Sequence, residues 1–133
     1  MVWSWLPFKV VVSDVEETSQ ETDPLKYVMD LAEQKALDVY GKVKGELDFP
    51  VVMGCDTIVV FQDRALEKPK TTVEARSMLE TLSGSAHEVL TAVSIVSPAG
   101  SRSFYDRTFV RFEDLSSDLL ELYLKTGESM DKA

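Results

Sequence analysis

Val51-Val52-Met53-Gly54-Cys55-Asp56-Thr57-Ile58-Val59-Val60-Phe61 is a β-branched, apolar run with one carboxylate at its centre. Its length and composition predict a buried β-strand. An aspartate in such a strand is costly to ionise unless a cation, a proton or a metal compensates it. Seven residues beyond the strand stands Lys68-Pro69, a cation just before a helix start. Acid and cation so close in sequence point to a site for an anionic ligand, with a metal as a third participant.

The flanking segments alternate between helix and strand signals. Phe8 to Ser13 predicts a first strand, and Asp14-Val15-Glu16-Glu17-Thr18 an acidic turn after it. Asp23 caps a helix with Pro24 at its first position, where a missing N–H does no harm. Val28, Ala32, Ala36, Val39 and Val43 keep helical spacing to about Lys44, and Lys35 falls on that apolar face. The loop from Gly45 to Pro50 leads into the Asp56 strand, and Gln62-Asp63-Arg64 reads as a turn.

Thr71-Thr72-Val73-Glu74 is a capping box opening a second helix, with Ala75, Met78, Leu79 and Leu82 as its buried stripe and Ser83-Gly84 as its end. Two strands, His87 to Ser97 and Arg102 to Phe112, are joined through Pro98-Ala99-Gly100. A last helix starts at Ser116, with Leu115 and Leu120 as a hydrophobic staple, and stops near Gly127. The order β-α-β-α-β-β-α predicts one α/β domain over residues 1–133, a mixed β-sheet with flanking helices.

Composition narrows the function classes. With 44% hydrophobic and 28% charged residues over 133 positions, the chain has the make-up of an ordinary globular domain. A net charge of −9 argues against general binding to nucleic acid or to acidic membranes. It leaves room for a small anion held by local lysines. Cys55 is the single cysteine, so no internal disulfide forms, and it reads as a small buried hydrophobe in a cytoplasmic protein. The opening Met1 to Pro7 lacks the basic flank and sustained apolar region of a signal peptide, and no run approaches the roughly 20 apolar residues of a membrane span.

Four residues are candidates for chemistry: Glu17, Lys35, Asp56 and Lys68. Oxygen donors suit Mg²⁺, so Glu17 and Asp56 are metal ligands if they converge. A carboxylate can deprotonate water while lysines offset phosphate charge. Taken singly, Glu17 reads as a solvated turn residue, Lys35 as a side chain snorkelling from its stripe, and Lys68 as surface. For Asp56 the rival is a structural salt bridge. His87, the sole histidine, reads as a hydrogen-bonded residue fixing the turn after Gly84, and Arg107 and Arg111 as an exposed strand face.

Several blocks in order give the chain a resemblance. Gly54-Cys55-Asp56-Thr57-Ile58-Val59, Leu66-Glu67-Lys68-Pro69, Leu82-Ser83-Gly84 with His87, Thr108 to Phe112, and Gly127-Glu128-Ser129-Met130-Asp131-Lys132-Ala133 resemble the Maf family of nucleoside triphosphate pyrophosphatases. That family includes the Maf-like portion of acetylserotonin O-methyltransferase-like proteins. Val12 to Glu17 and Ala32 to Ala36 fit its earlier blocks. The resemblance implies a Maf/Ham1-type α/β fold, usually dimeric, and metal-assisted (Mg²⁺ or Mn²⁺) hydrolysis of a nucleoside triphosphate to monophosphate and pyrophosphate. It further implies Asp56 as proton acceptor and Glu17, Lys35 and Lys68 as polar residues lining the cleft; with the oxygen-donor reading above, the expected metal ligands are Glu17 and Asp56 and the expected substrate-binding residues Lys35, Lys68 and Thr57. Asp56-Thr57 followed by Leu-Ser-Gly-x-x-His is similar to the branch acting on dTTP and UTP; the branch preferring 7-methyl-GTP carries Asp-Gln. The family pattern also has a Ser-x-x-Arg loop before these blocks and a Gly-x-Tyr-x-x-Gln segment after them, so the fold is expected to be incomplete. A binding module with a regulatory role in cell division is the alternative to an enzyme.

Overall fold

The computed structural model describes residues 7–130. The opening residues 1–6 and the closing Asp131-Lys132-Ala133, with the expectations attached to them, lie outside that range. Three helices and four strands follow in the order α1 (Pro24–Val43), β1 (Val52–Phe61), β2 (Arg64–Leu66), α2 (Thr72–Leu82), β3 (Ala86–Ser97), β4 (Gly100–Arg111) and α3 (Ser117–Lys125), closed by a 3₁₀ turn at Glu128–Met130.

The helix starts follow their caps. Asp23 accepts from the Lys26 N–H, Thr71 from the Glu74 N–H at 3.1 Å, and Ser116 from the Leu119 N–H at 3.1 Å. The reciprocal half of the capping box is displaced by one residue, because Glu74 Oε2 accepts from the Lys70 N–H at 2.7 Å. At the end of α2, Gly84 turns with φ +65°, and a Cβ there would run into Asp114 Oδ1. The Leu115 N–H and Ser83 Oγ, 2.7 Å apart, tie the start of α3 to the same corner.

The sheet runs β2-β1-β3-β4, and all three pairings are antiparallel. This corrects the expected mixed sheet while keeping the α/β class. The reason lies in Phe8 to Ser13, which forms no strand. That segment instead continues into a strap laid along α1, with Phe8, Val10 and Val12 exposed. A second difference is β2, a short strand that pairs with the end of β1 across Gln62 and Asp63. Both turn residues have positive φ, as a tight two-residue hairpin requires.

One face of the sheet carries the core. Val28, Ala32, Ile58, Val60, Leu90 and Ala92 form one cluster, and Ala36, Val52 and Val96 continue it. Helix α1 comes closest at Gly54, where an added Cβ would stand 2.6 Å from Ala32 O and 2.7 Å from Ala36 N. Glycine facing two alanines is therefore what lets helix and strand touch backbone to backbone. The other face of β1 is open at its start, where Val51, Met53 and Cys55 are exposed. The strand is thus buried on one side only in that half, and Cys55 is not the buried hydrophobe its neighbours suggest.

Candidate functional site

Helix α1, strand β1 and the strap converge on one ammonium. Lys35 Nζ stands 2.8 Å from Asp56 Oδ1 and 3.0 Å from Glu17 Oε1. Each partner arrives by a different route. Asp56 sits on the α1-facing side of β1, one step along that face from Gly54, so the close crossing sets its distance from Lys35. Glu17 is brought in by the strap, whose polar contacts descend α1 in order. Lys42 binds Asp14 and the Val12 carbonyl, Asp38 accepts from Ser13 Oγ and the Asp14 N–H, and Gln34 donates to the Thr18 carbonyl. Ser19 Oγ closes the series on Asp30.

Asp56 presents two different oxygens. Oδ1 accepts from Lys35, whereas Oδ2 is buried and, among the described residues, has no hydrogen-bond partner. Such an orphaned oxygen is unfavourable until something occupies it. Burial works to lower the Lys35 pKa, but the hydrogen bonds and charges of Asp56 and Glu17 outweigh it and hold the ammonium above its ordinary value.

Glu17 and Asp56 open onto a cavity of about 180 Å³ lined also by Tyr27, Leu31, Thr57 and Lys68, with Glu67 beside Lys68. Lys68 is exposed at the rim, ahead of the buried Pro69. Thr57 lines the cavity, but its hydroxyl lies 3.0 Å from Thr91 Oγ1, its directly paired neighbour on β3. A larger cavity of about 360 Å³ lies among Leu79, Phe112, Leu115, Leu119, Leu120 and Tyr123, with Arg111 and Glu113 also on its wall. It is mostly apolar and shares no residue with the charged one, so size alone would not single out the charged cavity.

Tyr27 and Glu67 are two lining residues that the sequence pattern does not single out. The signal available for Tyr27 was its spacing, since Tyr27, Leu31 and Lys35 follow one another at four-residue steps along one side of α1. Burial raises the Tyr27 phenol pKa first, and the charges of Glu67, Asp56 and Glu17 add to it, so the hydroxyl stays protonated. His87 differs from expectation. It is buried edge-on to Phe112, its pKa lowered by that burial, and its Nδ1 has no partner among the described residues. The turn after Gly84 is fixed instead by backbone bonds, Gly84 N–H to Glu113 O and Phe112 N–H to Ser85 O.

A family model described as Maf-like protein matches residues 3–133. The chain belongs to the Maf family. Maf-like relatives named dTTP/UTP pyrophosphatase are 43% identical to it over 129 residues in Bacillus cytotoxicus and in Bacillus mycoides. A protein of the same name from Bacillus thuringiensis is 41% identical over 129 residues. In each case the match covers 96% of this chain and 65% of the relative. The chain thus spans just under two thirds of the length of these relatives. No helix among its described residues is long and apolar enough to cross a membrane.

Proposed function

We propose that this Maf chain is a nucleoside triphosphate pyrophosphatase that hydrolyses dTTP and UTP to the monophosphate and pyrophosphate. The observation carrying the reading is the division of labour on Asp56. Lys35 fixes one carboxylate oxygen, and the other faces no protein donor, which suits a general base awaiting water. The names of the relatives support the substrate class, and Asp56-Thr57 supports the pyrimidine branch over the one preferring 7-methyl-GTP.

In this reading Asp56 Oδ2 accepts the proton of the attacking water. Lys35 keeps the carboxylate oriented, and two of its three N–H donors are already used by Glu17 and Asp56, leaving one for a phosphate oxygen. Lys68, at the rim, offsets charge on the departing pyrophosphate. Glu17 and Asp56 are the residues that would hold Mg²⁺ or Mn²⁺. They fit, because both offer hard carboxylate oxygen and the two converge on one ammonium, at 3.0 and 2.8 Å from Lys35 Nζ. No group of three His, Cys, Asp or Glu side chains suited to a metal occurs among the described residues, so phosphate oxygens and water would complete the coordination. When bound, such a cation supplies Lewis-acid polarisation of the phosphoryl group. A homodimer, carried over from the resemblance, and a cytoplasmic site of action, from the single cysteine, belong to the same reading.

The test is pyrophosphate release from dTTP, UTP and 7-methyl-GTP with Mg²⁺ or Mn²⁺, with Asp56→Asn alongside. Release from dTTP or UTP is expected, falling by roughly 10²-fold or more in the variant. Nucleotide binding without release by a cooperatively folded protein would favour the binding-module alternative.

A further inference from the structure

The charged cavity has few hydrogen-bond donors left for a ligand. Lys35 Nζ is engaged by Glu17 and Asp56, and Thr57 Oγ1 lies against Thr91 Oγ1. Among the described residues, no hydrogen bond engages the Tyr27 hydroxyl or the Lys68 ammonium. The cavity wall meanwhile carries the carboxylates of Glu17, Asp56 and Glu67 against one cation, Lys68. A triphosphate entering it meets excess negative charge, so a donor that carries no counter-ion is worth more here than in water.

Tyr27 is placed to be that donor. It packs against the cluster of Val28, Ala32, Ile58, Val60, Leu90 and Ala92, which anchors the side chain. It lines the cavity together with Leu31, one helical turn further along α1. We infer that the Tyr27 hydroxyl positions the nucleotide by donating a hydrogen bond to one of its phosphate oxygens. The inference rests on the pyrophosphatase reading for the identity of the anion. A phenol suits the role because an O–H bond to an ionised phosphate is short and strong, and a protonated phenol adds no charge of its own.

Tyr27→Phe removes the donor and keeps the packed ring. Three readouts are compared with the unsubstituted protein: the urea midpoint, kcat and KM for dTTP, and calorimetric affinity for the non-hydrolysable α,β-imido-dUTP. The expected result is an unchanged midpoint, kcat within about twofold, and KM and analogue dissociation constant both raised roughly tenfold. Unchanged KM and analogue affinity would overturn the inference, as would a loss confined to kcat. If the unsubstituted protein binds the analogue but releases no pyrophosphate, the hydrolytic reading fails. Weaker analogue binding by Tyr27→Phe would then still support the phosphate contact, and equal binding would end both.

Discussion

Asp56 and Glu17 meet the same ammonium, yet they are delivered by opposite kinds of structure. Asp56 comes from a packed crossing, where Gly54 leaves no room between β1 and the backbone of Ala32 and Ala36. Its side chain is 12% exposed, against 55% for Glu17. Glu17 comes from a strap whose apolar side chains at Val10 and Val12 face solvent and whose hold on α1 is made of hydrogen bonds and ion pairs. One carboxylate is thus positioned by sterics and the other by charge. Sterics are insensitive to salt and pH, and exposed ion pairs are weak and screened. The difference separates a fixed carboxylate from one that can adjust as a ligand arrives.

The largest expected effect comes from breaking the packed side. Gly54→Ala forces a methyl group against Ala32 O and Ala36 N, which are backbone atoms and cannot move as a side chain would. A stability loss of about 1–3 kcal/mol is expected from urea unfolding, with Gly54→Val costing more. Because the crossing also sets the Lys35–Asp56 distance, activity should fall further than stability accounts for.

Lys35→Met strikes where the two sides meet. It leaves Asp56 mostly buried without its cation, at a cost of about 1–3 kcal/mol near neutral pH. The native Lys35 pKa is raised above its unfolded value, so its contribution is complete below about pH 10.4 and is lost as pH rises through the folded pKa. Urea unfolding followed from pH 7 to 11 should show that alkaline decline in the unsubstituted protein and a flatter profile in the variant.

The smallest effect belongs to the strap. The Asp14 backbone N–H, followed by Lys42, holds the Asp38 pKa below its ordinary value. Its contribution is present above about pH 3.9 and is lost as pH falls through the folded value. Asp38→Asn should therefore speed amide exchange across Val12 to Thr18 and leave exchange in β1 and β3 unchanged. Raising salt on the unsubstituted protein should move exchange in the same direction. Faster exchange throughout the sheet would show that the strap and the crossing form one cooperative unit.

The contrast between the two regions also explains what could be read from the chain. Helix boundaries were legible because caps are local: Asp23 with Pro24, Thr71 and Ser116 each satisfy backbone donors within three residues. Asp56 in its apolar run and Lys35 on the apolar face of its helix were legible for the same reason, since each departs from its immediate pattern. The strap was not. Phe8 to Ser13 has strand composition, but its place is decided by Asp38 and Lys42, more than two dozen positions away. Sheet direction and the three-residue β2 likewise depend on pairing, which no local signal encodes. Tyr27 escaped notice because an aromatic residue on a helix face is ordinary until the cavity beside it is known.

The most direct measurement of the central claim is a pair of double-mutant cycles on urea stability. One combines Lys35→Met with Asp56→Asn, the other Lys35→Met with Glu17→Gln. A coupling on the order of 1–3 kcal/mol is expected for Lys35 with Asp56, and one below about 0.5 kcal/mol for Lys35 with Glu17. Equal couplings, or none between Lys35 and Asp56, would contradict the claim.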